Sequence, residues 1–201
     1  VEKILRREFR AARDLDHENI VKLIGICVDH PDWVCLLMEF VSRGTLRTLL
    51  TSAPEKVTGS ESMQLKLAHG IAAGMACLHG RTPPMLHHDL KSENVLVCID
   101  GHVKLADFGL AKKFDEKRQE RTTRATDGGQ RRTMRHSRMV GTPDALAPEV
   151  MSIDIALGAD RDYGASVDWW GLGILASEVF TGLDSILVAS GASDHGRKIL
   201  T

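Results

Sequence analysis

The spacing of apolar positions changes along the chain from the helical period to strand-like runs, and this change predicts a mixed α and β fold. Residues 1–16 place apolar side chains at the helical period and therefore predict a helix. Residues 17–41 are rich in apolar and β-branched side chains around His30-Pro31-Asp32, which predicts a hairpin. After the turn-rich residues 52–62, a wide apolar face predicts a second helix over residues 64–79.

Two short β-type runs further along predict a second hairpin. Val95-Leu96-Val97 is one predicted strand, Asp100-Gly101 a two-residue turn, and Val103-Lys104-Leu105 the returning strand. A hairpin places the residues before its first strand beside those after its second. We therefore expect Asn94 and Asp107 at the same end of this hairpin.

Four side chains with metal and phosphate chemistry are expected near that end. Asp89 and Lys91 lie shortly before Asn94, and Asp107 follows the second strand. Two carboxylates and an amide oxygen suit Mg²⁺, because hard cations take oxygen ligands, and an ammonium group suits phosphate. On residue types alone, a polar loop that only solvates a turn is the favoured interpretation.

The spacing of three motifs changes that interpretation. The motifs are His87-x-Asp89-Leu90-Lys91-x-x-Asn94, Asp107-Phe108-Gly109 and Ala147-Pro148-Glu149. They resemble the catalytic loop, the magnesium loop and the end of the activation segment of eukaryotic protein kinases. Lys91, two residues after Asp89, is typical of the serine/threonine type, and the chain resembles the tyrosine-kinase-like or receptor-like group. The resemblance covers residues 1–182.

The resemblance implies an incomplete α+β fold with the two lobes of a protein kinase. Residues 1–41 would form a partial N-lobe from helix αC to the hinge. Residues 42–182 would form the C-lobe core, as far as helix αF, which begins near Asp168. Residues 152–163 are expected to be a short insertion, and residues 183–201 a divergent tail.

The resemblance also implies a role for each residue of the catalytic hairpin. Asp89 would orient the substrate hydroxyl or accept its proton, and Lys91 would neutralise charge on the γ-phosphate of ATP. Asn94 and Asp107 would hold the Mg²⁺ that accompanies the nucleotide. Thr142, in a Gly141-Thr142-Pro143 motif that resembles a substrate-docking loop, would contact the catalytic aspartate and lysine.

A second group of residues matches the nucleotide pocket of the family. Met38 would be the gatekeeper, and backbone groups of Glu39 and Val41 would hydrogen-bond adenine. Leu96 would form the apolar floor of the adenine pocket. Thr45 falls near the expected ribose contact, although it is equally well placed to cap the helix that follows it.

Glu8 matches the αC glutamate, which in the family pairs with a lysine on strand β3. The 201 residues contain neither that lysine nor a Gly-rich loop, so we expect a fragment of a longer protein or a weakened enzyme. A solvated surface glutamate on an amphipathic helix is the alternative for Glu8. His87, Phe108, Leu23 and Ala12 match the apolar spine of active kinases, and the small Ala12 would leave that spine under-packed.

Three further features depart from the pattern of the family, and two of them concern regulation. His88 stands where the family commonly has the arginine that receives an activation-loop phosphate, and histidine is charged only below about pH 6.5. Residues 115–138 are basic and contain Gly128-Gly129, so we expect a disordered loop that does not act as a phosphate switch. Glu149 is expected to be unpaired or solvated, because the partner region of the family has no counterpart.

Composition narrows the setting. A net charge of −1 predicts no general attraction to nucleic acid or anionic membranes. The four cysteines follow no metal or secretory spacing, which favours buried thiols in a reducing compartment. The most apolar run, residues 169–180, is short and contains Glu178, so we expect no membrane segment. A cytoplasmic protein is the expectation.

The favoured function is a protein serine/threonine kinase that uses ATP and Mg²⁺ to phosphorylate protein hydroxyls. The alternative is a pseudokinase or scaffold that keeps the fold and binds nucleotide or partners without phosphotransfer. A small-molecule phosphotransferase is a third interpretation. Gly141-Thr142-Pro143 and Ala147-Pro148-Glu149 argue against it, because in the kinase family these motifs build a platform for protein substrates.

Overall fold

The computed structural model describes residues 2–30, 33–113, 134–136, 141–142, 145–151 and 161–182. The chain begins with helix α1 (Glu2–Ala12), followed by strands β1 (Leu23–Cys27) and β2 (Cys35–Met38). Three helices come next: α2 (Leu46–Ser52), α3 (Glu55–Thr58) and the long α4 (Glu61–His79). Four short strands follow: β3 (Met85–Leu86), β4 (Val95–Val97), β5 (Val103–Leu105) and β6 (Lys112–Lys113). The last described elements are strand β7 (Met134–His136), helix α5 (Pro148–Met151), strand β8 (Arg161–Tyr163) and helix α6 (Ser166–Thr181).

The strands form four separate antiparallel pairs: β1 with β2, β3 with β6, β4 with β5, and β7 with β8. The β4–β5 hairpin has the predicted strand bounds, but its connection is a three-residue loop over residues 99–101, so the predicted two-residue turn Asp100-Gly101 is wrong. Gly101 adopts φ 84° at the turn, a left-handed conformation that glycine takes without steric cost. Cys98 N–H donates to the carbonyl of His102 at 2.8 Å and closes the hairpin.

Helix boundaries follow local capping. The side chain of Ser60 accepts from the amide of Met63, so α4 begins at Glu61, three residues before the predicted start. Residues 52–62 were expected to be linker, and that prediction is wrong for Glu55–Thr58, which form the one-turn helix α3. At the other end of the fold, Gly182 adopts φ 69° and terminates α6.

Helix α4 is the central element, packed against both α6 and strand β5. Leu67, Ile71 and Met75 of α4 are fully buried in one cluster with Leu175 and Val179 of α6. One face of the apolar helix α6 is therefore buried against α4, while Trp169 and Phe180 on it stay exposed.

A close approach joins the loop before β1 to α4 and the hairpin. Asn19 is buried, its Nδ2 donates to the carbonyl of Val103 at 2.9 Å, and its carbonyl accepts from the amide of Leu105 at 2.9 Å. A Cβ at Gly74 of α4 would lie 2.8 Å from the Asn19 carbonyl oxygen. The glycine is therefore required for the helix to pack this closely on the hairpin.

The structure also bears on the predictions about the cysteines, membrane segments, and the predicted loop and insertion. The four cysteines are free and partly exposed, so the prediction of buried thiols is wrong in its degree of burial. No helix in the described part of the chain is long and apolar enough to cross a membrane. Residues 134–136 and 161–163 pair as β7 and β8, so the predicted loop and insertion contain regular structure there. The rest of residues 115–138 and 152–163, and the predicted tail 183–201, lie outside the described residues.

Candidate active site

The hairpin register brings the two ends of the catalytic segment together. Val95 pairs with Leu105, and one step beyond that pair the amide of Ala106 donates to the carbonyl of Asn94 at 2.8 Å. Asn94 and Asp107 therefore stand at the same end of the hairpin, as the sequence pattern predicts. The catalytic loop enters this end from strand β3 through the helical turn Ser92–Asn94.

Asp89 lies at the centre of a hydrogen-bonded cluster. Its Oδ1 accepts from the amide of Thr142 at 3.0 Å and from the Thr142 hydroxyl at 2.7 Å. Its Oδ2 lies 2.9 Å from Nδ2 of Asn94 and 3.0 Å from Nζ of Lys91. Burial works to raise the pKa of Asp89, but the hydrogen bonds from Thr142, Lys91 and Asn94 outweigh it and lower the pKa. The carboxylate is thus ionised at neutral pH, and both of its oxygens can accept hydrogen bonds.

Lys91 and Thr142 complete this cluster. Lys91 Nζ donates to the Thr142 hydroxyl at 2.6 Å, so that hydroxyl accepts from the ammonium group while it donates to Asp89. Gly141 brings the docking segment close with φ 120°, and a Cβ there would lie 2.8 Å from the carbonyl oxygen of His88. The structure brings together the three residues that the resemblance groups at the catalytic loop.

Asp107 is held in a left-handed backbone conformation beside helix α1. Its φ is 59°, and its Oδ1 accepts from the amide of Gly109 at 3.1 Å. Glu8 of α1 accepts from the amide of Phe108, and burial followed by the charge of Asp107 raises the pKa of Glu8. Arg7 donates to the carbonyl of Gly109. Glu8 is therefore half-buried and contacts the Asp107-Phe108-Gly109 segment, so the alternative of a solvated surface glutamate does not hold.

The donor chemistry near Asn94 fits magnesium. Nδ2 of Asn94 donates to the carbonyl of Asp89 at 2.8 Å and to its carboxylate, which turns the amide oxygen away from Asp89. An amide oxygen and the carboxylate of Asp107 are the hard ligands that Mg²⁺ takes when nucleotide phosphates and water supply the rest. Among the described residues no group of three or more His, Cys, Asp or Glu side chains could hold a metal ion.

One buried carboxylate holds the backbone of the catalytic loop. Asp168 of α6 is 1% exposed and accepts from the amides of His87 and His88, each at 2.9 Å. Its Oδ2 also lies 2.8 Å from Nε2 of His79. Burial works to raise the pKa of Asp168, but the hydrogen bond from His79 and the neighbouring loop hold it below its usual range.

The two histidines of the loop have different surroundings. His87 is fully buried, packs its ring 5.3 Å from that of Phe108, and places Nε2 3.1 Å from the carbonyl of Ala106. His88 has φ 66°, and its Nδ1 lies 3.2 Å from the carbonyl of Leu110. Burial lowers the pKa of His88 to about 4, so its side chain is neutral at physiological pH. Ala12, Leu23 and Phe108 are buried in the same large hydrophobic cluster, and their stacking as a spine stays a prediction.

The predicted nucleotide residues lie around the hinge. Met38 is 42% exposed, and Val41 is partly buried. The amide of Glu39 donates to the carbonyl of Lys22 at 3.0 Å, which leaves only the Glu39 carbonyl to accept from adenine. The Glu39 side chain binds the Lys22 amide at 2.8 Å and Lys104 Nζ at 2.9 Å, so it holds the hinge against strand β5.

Thr45 and Leu96 meet across the wall of the same region. They form an isolated antiparallel bridge, and the amide of Val97 donates to the carbonyl of Gly44 at 2.9 Å. The Thr45 hydroxyl accepts from the amide of Thr48 at 3.0 Å, so Thr45 caps helix α2. The capping alternative for Thr45 is therefore realised.

Two features of the site escaped the sequence. His79 lies 89 residues from Asp168, and its position at the end of the predicted helix is the only signal that sequence offers. Glu149 accepts from the Ser166 hydroxyl at 3.1 Å, so the prediction that it is unpaired or solvated is wrong. Both contacts join elements whose packing no local pattern determines.

The hairpin, the Asp89 cluster and the Asp168 carboxylate that holds the loop are arranged as in the C-lobe of a protein kinase. The family model described as the protein kinase domain matches residues 1–198, and the chain belongs to this family. The predicted resemblance and the α+β kinase-like fold are thereby confirmed. The predicted boundary at residue 182 stays a prediction.

Individual relatives agree with this assignment. The chain is 33% identical over 193 residues to RAC-beta serine/threonine-protein kinase B of Xenopus laevis, covering 90% of this chain and 34% of that protein. It is 32% identical over 177 residues to the putative serine/threonine-protein kinase/receptor R831 of Acanthamoeba polyphaga mimivirus, covering 88% of this chain and 9% of that protein. The chain thus spans about a third or less of the length of these two relatives. A crystal structure of the yeast RNA Pol II CTD kinase CTDK-1 complex contains a similar fold, with a TM-score of 0.69, 29% identity, and coverage of 92% of this chain and 52% of that chain.

Proposed function

We propose that this chain is the catalytic part of a protein serine/threonine kinase, which transfers the γ-phosphate of ATP to hydroxyl groups of proteins. The observation that carries the proposal is the Asp89 cluster. There an ionised carboxylate already accepts from a threonine hydroxyl at 2.7 Å while a lysine stands 3.0 Å from the same carboxylate. A substrate hydroxyl would donate a hydrogen bond to Asp89 as the Thr142 hydroxyl does. The cluster therefore has the chemistry of a hydroxyl-orienting site.

Each residue of the site has one task in this proposal. Asp89 accepts the hydrogen bond of the attacking hydroxyl and aims its oxygen, and Lys91 offsets the negative charge that accumulates on the transferred phosphoryl group. Asn94 and Asp107 hold Mg²⁺. The ion supplies charge neutralisation on the nucleotide phosphates. Thr142 keeps the docking segment within reach of Asp89.

Nucleotide binding is assigned to the hinge region. Met38 would border the adenine pocket, the carbonyl of Glu39 and the backbone of Val41 would meet the adenine edge, and Leu96 would lie under the ring. The Thr45 hydroxyl is already hydrogen-bonded at the start of α2. Thr45 would therefore help to position Leu96 through the backbone bridge between them, and would not bind ribose through its hydroxyl. A cytoplasmic location is part of this proposal, since ATP and protein hydroxyls are available there and the four cysteines are unpaired thiols.

The alternative is a pseudokinase or scaffold, and one observation favours it for the 201 residues taken alone. These residues contain no Gly-rich loop and no counterpart of the β3 lysine, and the charges acting on Glu8 are those of Asp107 and Arg7. Without the lysine and the loop, this 201-residue polypeptide lacks preorganised transition-state stabilisation on the order of several kcal/mol. We therefore expect the 201-residue chain to transfer phosphate poorly.

The experiment separates binding from transfer. Mg²⁺-ATP is titrated against the 201-residue chain, and radiolabelled phosphate transfer to a generic basic protein is measured in parallel. Asp107→Asn should weaken Mg²⁺-dependent ATP binding, and Asp89→Asn should leave binding intact but remove the remaining transfer. Asp100→Asn, an exposed turn carboxylate, is the matched control and should change neither. Binding without transfer in every variant would support the scaffold, and transfer that survives Asp89→Asn would contradict the proposed role of Asp89.

A further inference from the structure

The β1–β2 hairpin places two cysteines directly opposite each other. In its antiparallel register Ile26 pairs with Leu36, and the next step along the ladder pairs Cys27 with Cys35. Successive side chains of a strand point to opposite faces of the sheet, so residues that lie directly opposite in a pair share one face. The side chains of Cys27 and Cys35 are therefore neighbours on one face of the hairpin.

The backbone spacing of such a pair fits a disulfide. Opposite residues of antiparallel strands have Cα atoms about 5.5 Å apart in hydrogen-bonded pairs and about 4.5 Å apart in the other pairs. A disulfide joins residues whose Cα atoms are about 4.4–6.8 Å apart, so either kind of pair is within its range. The Cβ atoms of opposite residues lie about 4.5–5.5 Å apart, against about 3.5–4.5 Å in a disulfide, so the bond requires only a small approach of the two strands.

Both thiols are free and open to a small reagent. Cys27 and Cys35 are partly exposed, and Leu37, which follows Cys35 by two residues and shares its face, is 46% exposed. The other two cysteines lie elsewhere, since Cys77 is within helix α4 and Cys98 directly follows strand β4. The register of β1 and β2 thus pairs two of the four cysteines.

The hairpin is also held closed beyond the pair. The rings of His30 and Trp33, in the connection between the two strands, stack with centroids 4.1 Å apart and an interplanar angle of 23°. The cysteine pair therefore lies between this ring contact and the rest of the strand ladder. Two reacting groups that are fixed side by side react with each other far faster than with groups on other molecules.

We propose that Cys27 and Cys35 form a reversible disulfide, a modification site that does not depend on the proposed phosphotransfer. The oxidant is a small-molecule disulfide such as oxidised glutathione. One cysteine thiolate attacks a sulfur of the oxidant, which forms a mixed disulfide and releases one glutathione thiol. The other cysteine then attacks the protein sulfur of the mixed disulfide and releases the second glutathione thiol. The two cysteines lose two electrons and two protons, and the two glutathione sulfurs take them up.

The first measurement uses the 201-residue parent chain, so it requires no substitution. The folded chain is equilibrated with reduced and oxidised glutathione, its free thiols are blocked, and it is digested with chymotrypsin, which cleaves after Trp33 between the two cysteines. The peptides of Cys27 and Cys35 should stay joined in the mass spectrum until a reductant is added. A main product in which they are linked to Cys77, to Cys98, to glutathione or to a second chain would overturn the proposal.

The second measurement asks whether the fold favours the bond beyond the closeness of the two cysteines in sequence. It uses the variant Cys77→Ser with Cys98→Ser, in which only one intramolecular disulfide can form. The equilibrium constant for the bond against glutathione should be larger in the folded chain than in urea by about tenfold or more, because the bond restricts the unfolded chain and fits the paired strands. By the same thermodynamic cycle, the oxidised chain should unfold at a higher urea concentration. Equal constants, or a lower midpoint after oxidation, would show that the strands do not favour the bond.

The matched control is Cys27→Ser with Cys35→Ser, which keeps the other two cysteines. It should form no intramolecular disulfide in the folded state, and its urea midpoint should not depend on the glutathione ratio. A midpoint shift that persists in this control would assign the effect to other thiols and overturn the proposal. None of these readouts involves nucleotide, so absence of phosphotransfer would count against the proposed function alone.

Discussion

The packing of helix α4 on the catalytic hairpin can be tested with one methyl group. Gly74 lies where α4 crosses the hairpin, and a Cβ there would stand 2.8 Å from the carbonyl oxygen of Asn19 and 2.8 Å from Cδ1 of Leu105. Real Cβ atoms do not approach other atoms so closely, and one of the two is backbone. Gly74→Ala must therefore push α4 away from the hairpin.

A matched substitution isolates the size of this effect. Gly173 of α6 is exposed and has no atom within 4 Å of a built Cβ. Alanine in a helix interior gains about 1 kcal/mol over glycine, and this gain is common to both substitutions. Overpacking of a well-packed site costs about 1–3 kcal/mol. The free energy of unfolding should accordingly differ between the two variants by about 1–3 kcal/mol, with Gly74→Ala the less stable.

Urea unfolding of the 201-residue chain, followed by far-UV circular dichroism, gives both values. Gly173→Ala should be more stable than the parent chain, and Gly74→Ala less stable than Gly173→Ala. The slope of the transition should stay the same, so that the midpoints alone carry the comparison. If Gly74→Ala is as stable as Gly173→Ala, the helix does not approach Asn19 and Leu105 as described. The inference that α4 packs tightly on the hairpin would then be wrong.

Further outcomes concern pH and the loop. Asp89 has a lowered pKa, so its stabilising effect is present above the unfolded pKa and is lost as pH falls through the folded one. Thr142→Val removes a hydrogen bond that lowers this pKa, so in urea titrations the stability lost on acidification should be smaller and should be complete at a higher pH than in the parent chain. His88 is neutral in the fold down to about pH 4 but protonates when unfolded, so acidification from about pH 6.5 should destabilise the parent chain more than His88→Gln. Alanine at the hydroxyl residues of the loop should change the transfer activity less than tenfold in a polypeptide extended to a complete kinase domain, compared before and after phosphatase treatment; a larger effect would show a phosphate switch that a neutral His88 does not provide. The loop residues to be replaced are Thr122, Thr123, Thr126, Thr133 and Ser137.

The sequence was informative where one short segment determines its own structure. The β4–β5 hairpin could be predicted from its two β-type runs, and its register places Asn94 beside the residues before Asp107. The loop was predicted as a two-residue Asp-Gly turn, whereas the observed register requires three residues, 99–101. Helix α4 could be predicted from its apolar period. Its start could be placed only by noticing that Ser60 caps it, and α3 could not be separated from a turn-rich linker.

Contacts between distant segments were beyond the sequence unless a family motif supplied them. The approach of Thr142 to Asp89 was expected from the resemblance, but its geometry depends on the left-handed φ of Gly141. The bond from His79 to Asp168 and that from Ser166 to Glu149 depend on how helices pack, which neither periodicity nor composition fixes. The hydrogen bond from the Glu39 amide to the Lys22 carbonyl likewise follows from how β1 and β2 pair around a bulge in β1.

The two halves of the site are held in strained conformations by different parts of the fold. His88, just before Asp89, and Asp107 both adopt positive φ, and such residues cost about 1–3 kcal/mol unless their surroundings compensate. Asp168 of helix α6 secures the His88 amide from inside the C-lobe. Asp107 instead bonds its own neighbour Gly109, and helix α1 secures the adjoining amide of Phe108 through Glu8.

This division has a physical consequence for how the two halves respond to change. The catalytic loop depends on elements that share the buried core of α4 and α6, so it should keep its geometry whenever that core is intact. The Asp107-Phe108-Gly109 segment depends on α1, which contacts it through Arg7 and Glu8. Burial and the charge of Asp107 raise the pKa of Glu8. A positive charge beside Glu8 would favour its ionised form and relieve its repulsion with Asp107. Binding of a cation at that point would therefore stabilise the Asp107-Phe108-Gly109 segment without altering the Asp89 cluster.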